Sequence, residues 1–190
     1  MKFILATWMI IMVVISGCSS LKSHNIIEVQ GITGYIISFD NKDNNVLVAE
    51  AHAKDKMVQS HLINIQNYTL ITDADNNKIH FSDLQIGQKV KTAYYIDKDN
   101  QFAVGTKLKS QLLRGSKIAV QPEDFPDILP IDETKAIATA LQSEKSVQLF
   151  VRNVDFNKED KTWRILVDDI ITMENKRLVK IDSKNGQYID

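Results

Sequence analysis

The sequence predicts a mainly β chain whose second half is α+β. Between Gly31 and Lys117, short apolar runs alternate with clusters rich in Asp and Asn, the spacing of strands and hairpin turns. All three prolines, Pro122, Pro126 and Pro130, fall in one window with Glu123, Asp124 and Asp127. Proline stiffens such a segment and ends regular structure on either side, so a boundary is expected there. Beyond it, a single stretch has helical periodicity, and alternating strands follow it.

Composition supports a folded chain. The protein has 190 residues, 44% of them hydrophobic and 25% charged, with a formal net charge of −1. Those fractions exclude a disordered or fibrous class. The charge balance gives no pull on phosphate backbones, so nucleic acid is not an expected partner. One cysteine excludes a disulfide framework within the chain, and with it zinc or iron–sulfur sites built on several thiolates.

That cysteine sits in an informative place. Met1-Lys2-Phe3-Ile4-Leu5 opens an almost unbroken apolar run through Ile15, and Ser16-Gly17-Cys18-Ser19-Ser20 follows. A positive charge, an apolar stretch and small residues form the grammar of a signal peptide. The stretch is shorter than the ~20 residues that a membrane-spanning helix needs, which disfavours an uncleaved anchor. Ile15-Ser16-Gly17-Cys18 resembles the lipobox of bacterial lipoproteins. The resemblance implies cleavage of residues 1–17, acylation of the Cys18 thiol and a membrane-anchored, extracytoplasmic product. Neither Ser19 nor Ser20 is the aspartate that retains such proteins at an inner membrane. Residues 18–30 then read as a polar tether.

The first folded unit is expected over residues 31–117. Gly31 to Phe39 reads as a strand, Asp40 to Asn45 as a turn, and Val46 to Ala49 as the returning strand. His61–Ile65 and Tyr68–Thr72 read as further strands, with a short one around Ile79 and Phe81. Leu84-Gln85-Ile86-Gly87-Gln88-Lys89-Val90 predicts a tight corner at Gly87. The strand it enters should carry Lys89 and Lys91 outward and Val90, Thr92 and Tyr94 inward. Asp97-Lys98-Asp99-Asn100 is a hairpin turn, and Phe102 to Lys109 is the expected closing strand. Curled strands in this number would make a small OB-like antiparallel β-barrel. The corner and its lysine-flanked strand are similar to small β-barrel domains of bacterial lipoproteins, the YobA-like ones among them. That likeness implies a fold and brings no catalytic motif.

Residues 118–130 read as a proline-rich linker, and residues 131–190 as a one-helix, three-stranded antiparallel sheet domain. Asp132 offers an N-cap, Glu133 suits the helix dipole, and Ala136, Ile137, Ala140 and Leu141 form one apolar stripe. The strand from Val147 to Phe156 breaks its alternation near Arg152-Asn153, which predicts a bulge. Lys161–Ile171 and Arg177–Asp182 are the next strands, with Tyr188 and Ile189 beyond. The element order, the strand bearing Trp163 and the close at Ile181-Asp182-Ser183-Lys184-Asn185-Gly186-Gln187-Tyr188 are similar to PepSY domains. The resemblance implies a small extracytoplasmic module, in some cases one that restrains peptidases.

No pattern marks a catalytic centre, and none calls for a cofactor. Asp73-x-Asp75-x-Asn77 opens like a calcium loop, but Lys78 stands where glycine is needed and Leu84 where a bidentate glutamate is needed. His52, His61 and His80 lack the helical spacing of zinc-enzyme ligands. Trp163 reads as a core or sheet-face anchor. The expected function is therefore non-enzymatic binding of an envelope protein or peptide across a sheet face or edge. Two other readings stay open: a small ligand or glycan in the barrel mouth, and a hydrolase with dispersed carboxylates.

Overall fold

The computed structural model describes residues 26–51, 59–97, 112–125, 129–143, 149–169 and 176–189. The expected leader, Cys18, His52 and the expected strand from Phe102 to Lys109 lie outside these residues.

The first unit contains β1 (Ile26–Asp40), β2 (Asn45–Glu50), β3 (Ser60–Asn64), β4 (Leu70–Thr72), β5 (Lys89–Asp97) and β6 (Leu112–Val120). β1 pairs antiparallel with β2 and β5, β2 with β3, and β5 with β6. β3 meets β6 in parallel. Following these pairings leads back to β1, so the strands close into an OB-like barrel with one parallel seam. The row Glu28–Tyr95–Arg114–Asn64–Asn45 returns to β1 at Asp40, not at Glu28. Such a stagger is what closing a ring of tilted strands requires. β4 adds to β6 in parallel beyond the end of β3. Ile36, Val46, Val48, Ile63, Val90 and Ile118 fill the interior completely buried.

Three boundaries differ from the sequence expectation. β1 begins at Ile26, so residues 26–30 are barrel and not tether; they pair with residues 93–97, a partner invisible to local reading. β6 runs on through Ile118 to Val120, taking those residues from the linker. Around Ile79 only an isolated bridge forms, between Thr72 and Lys78, and Phe81 enters a 3-10 turn at Phe81–Asp83.

The second unit opens with helix α1 (Glu133–Leu141), capped by Asp132, whose carboxylate accepts from the Lys135 amide at 2.8 Å. A sheet follows in the order β10-β9-β8-β7, built from β7 (Leu149–Asn157), β8 (Thr162–Asp169), β9 (Arg177–Asp182) and β10 (Tyr188–Ile189). The short β10 is a fourth strand added to the three expected. The register slips between Val151 and Asn153, where the broken alternation predicts a bulge. The helix stripe packs onto Trp163, Ile165, Val167 and Ile181. Trp163 is wholly buried, touches Phe125 and Phe156, and donates from Nε1 to the Ile131 carbonyl at 2.9 Å. Arg152 lies over the Phe150 ring and donates to buried Asp168 at 2.8 Å.

The two units share one core. Ile36, Val46 and Val48 point into the barrel, while Tyr35, Ile37, Leu47 and Ala49 point out of it and join the cluster formed by α1 and the sheet. Burying an Ile or Leu side chain stabilises by roughly 1.5–3 kcal/mol, so this contact is substantial. It also covers the strand face on which OB barrels commonly receive oligonucleotides or oligosaccharides.

Candidate functional site

Where the barrel, the proline window and α1 meet, a buried carboxylate organises the junction. Glu133 opens α1 and is only 2% exposed. Its Oε1 accepts from the Tyr35 hydroxyl of β1 at 3.4 Å, and its Oε2 accepts from the backbone amides of Asp124 and Phe125 at 2.7 and 3.2 Å. Glu123 caps the helix a second time, accepting from the Thr134 amide at 3.2 Å. Lys89, just past the Gly87 corner, pairs with Asp124 at 2.6 Å. Burial raises the Glu133 pKa, with the Asp124 charge adding to it and the two backbone amides opposing it. Burial likewise raises the Tyr35 phenol, helped by the charge of Glu133.

A cleft of about 180 Å³ borders this network, with Gln88, Lys89, Gln121, Glu123, Glu133 and Thr134 among its lining. A buried acid beside a second acid is the raw material of general acid catalysis. Here the oxygens of Glu133 are engaged by Tyr35 and two amides, and Glu123 caps a helix. The arrangement holds the strap at residues 121–125 against the barrel. It is a fastening.

The outer face of the second sheet is a different kind of surface. Leu166 on β8 stands directly opposite Leu178 on β9, and Asn153 on β7 flanks them. The next row runs Asp155, Arg164, Lys180 and Ile189 across all four strands. Leu178 is 53% exposed and Ile189 is exposed as well. Among the described residues, β7 and β10 are unpaired edges of this sheet.

Those of the residues singled out in the sequence that the structure describes are not brought together. Asp73 accepts from the amides of Asp75 and Asn77 and from the Asn77 side chain, a self-contained turn that holds its carboxyl below the usual range. His61 lies edge-on against Tyr94, with its pKa lowered by burial. His80 instead precedes the 3-10 turn, its amide donating to Asp83. Among the described residues no three His, Cys, Asp or Glu side chains gather as a ligand set. A second cleft, of about 420 Å³, lies where the β1–β2 turn meets the 3-10 turn, lined by Phe39, Asn41, Asn44, Phe81, Ser82 and Leu84.

Sequence reading missed the Tyr35–Glu133 contact, whose partners stand 98 residues apart. No family model, curated protein or solved structure matches the chain.

Proposed function

We propose that the chain is a lipid-anchored, extracytoplasmic binding module that takes an envelope protein or peptide on the outer face of its second sheet. The observation that carries this reading is the apolar pair Leu166–Leu178, open on its outer side and bordered by Arg164 and Lys180. An extended segment with apolar side chains fits such a strip, and an edge strand beside it offers backbone groups for strand addition. The PepSY-like order of helix and strands agrees with a role in restraining a partner. The lipobox at Ile15–Cys18 supplies the anchor.

A photo-crosslinking residue at position 178, in cells of the native host, tests the surface. The expected result is one discrete adduct that is absent when the same residue stands at Lys158, in the β7–β8 turn. Equal labelling from both positions would remove the case for a specific surface. Mass spectrometry of Cys18 tests the anchor, with acylated sulfur expected.

A second reading rests on the barrel-end cleft. Its lining is uncharged, with two phenyl rings and two Asn side chains, and its size is in the range of small-ligand pockets. A neutral saccharide is the ligand class this suits. Titration with N-acetylglucosamine oligomers, read from the amides of Asn41, Asn44 and Ser82, would show saturable shifts if it binds there and none otherwise.

A further inference from the structure

The exposed large apolar side chains of the described residues fall into two groups. Leu178, Tyr188 and Ile189 belong to the second sheet, and Ile26, Tyr68, Leu70 and Leu112 to the barrel. The barrel group is gathered by strand register. Ile26 and Glu28 face outward on β1, and Glu28 stands opposite Tyr95 on β5. Tyr95 in turn stands opposite Arg114 on β6, and Leu112 precedes Arg114 on the same face of that strand. The Tyr68 ring lies 5.9 Å from that of Tyr95. The result is two tyrosines and two aliphatic side chains with Glu28 and Arg114, of opposite charge, in the same row, set where the chain enters the fold.

Tyrosines with an apolar body and a polar tip favour the headgroup layer of a bilayer, where exposed aliphatic side chains beside them are also accommodated. Location makes the match specific. Full extension from Cys18 to Ile26 reaches at most about 29 Å, so a lipid on Cys18 keeps Ile26 close to the membrane. We propose that the surface formed by Ile26, Tyr68, Tyr95 and Leu112 rests on the headgroup layer of the membrane that holds Cys18. This inference rests on the anchoring reading above. It assigns the exposed groups different tasks: the barrel group meets lipid, and Leu178 and Ile189 on the outer sheet face meet the partner, while Tyr188 turns to the helix side and donates to the Thr139 carbonyl.

The test uses the chain beginning at Cys18, coupled through that thiol to maleimide-bearing phosphatidylethanolamine in vesicles of phosphatidylcholine with some phosphatidylglycerol. Tryptophan is placed singly by Tyr68→Trp, Leu112→Trp or Leu178→Trp, over the constant background of buried Trp163. Brominated phosphatidylcholine, which quenches only tryptophans touching lipid, then replaces the ordinary lipid. Quenching of the added fluorescence by at least about twofold is expected at positions 68 and 112, with little at 178. Equal quenching at all three positions, or quenching at 178 alone, overturns the proposal. So does absence of quenching everywhere, because the lipid is attached chemically and the anchor is then not in question. An unmodified Cys18 in the native host would instead overturn the anchoring reading itself, whatever the vesicles show.

Discussion

A Cβ atom added to Gly87 would lie 2.3 Å from the carbonyl oxygen of Thr134, in the first turn of α1. The barrel corner is thus pressed directly against the helix backbone, and Gly87 also holds a φ of +89°. Gly87→Ala should therefore strain the chain twice, through the left-handed backbone and through the clash. A loss of about 2–4 kcal/mol is expected, read as a melting temperature lower by roughly 5–10 °C. Gly186→Ala is the control. Its φ is +73°, but its nearest neighbour is the end of the flexible Ile131 side chain at 3.3 Å, so a smaller loss is expected.

One buried and one half-buried group give the stability opposite slopes with pH. The Glu133 pKa is raised in the folded chain, so its contribution is complete below 4.5 and is lost as pH rises through the raised value. The His61 pKa is lowered, so its contribution is complete above 6.5 and is lost as pH falls through the lowered value. Glu133→Gln should flatten the loss on the alkaline side of the carboxylate range, and His61→Gln should flatten the acid limb. Denaturant midpoints across pH check both. An unchanged profile in either variant would show that the named group does not set that slope.

Arg152 and Asp168 form a pair in which the carboxylate is wholly buried. Removing the cation alone, by Arg152→Ala, leaves that charge uncompensated and should cost about 3–5 kcal/mol. The double variant Arg152→Met with Asp168→Leu should recover much of the loss, since apolar replacements of a buried pair are often tolerated. A double variant no more stable than Arg152→Ala would contradict this account.

The sheet-face reading predicts a separation of binding from stability. Leu178→Asp puts a carboxylate on an exposed position, so the unfolding free energy should change by no more than about 0.5 kcal/mol. Adduct formation from a crosslinker at the neighbouring Lys180 should fall at least tenfold. Retained capture with an unchanged fold would sink the proposed surface.

Much of this architecture was legible because it is local. Gly87, the Asp132 cap, the stripe from Ala136 to Leu141 and the bulge near Asn153 each follow from a few neighbouring residues. The start of β1 was not legible, because residues 26–30 owe their extended form to pairing with β5. The junction escaped for the same reason: nothing near Glu133 names Tyr35 as its partner. One signal was available. Val46-Leu47-Val48-Ala49 is apolar without alternation, the pattern of a strand buried on both faces, and it marks β2 as covered from outside as well as within. The outer face of the second sheet was foreseen only as a kind of surface. Its particular residues depend on registers between strands.

Because Tyr35, Ile37, Leu47 and Ala49 lie in the same core as α1 and the second sheet, the proline window does not separate two autonomous parts. Expressing residues 131–190 alone would bare the apolar surface around β7 that meets β1 and β2 and invite aggregation. Engineers wishing to graft the sheet surface elsewhere must carry the barrel with it.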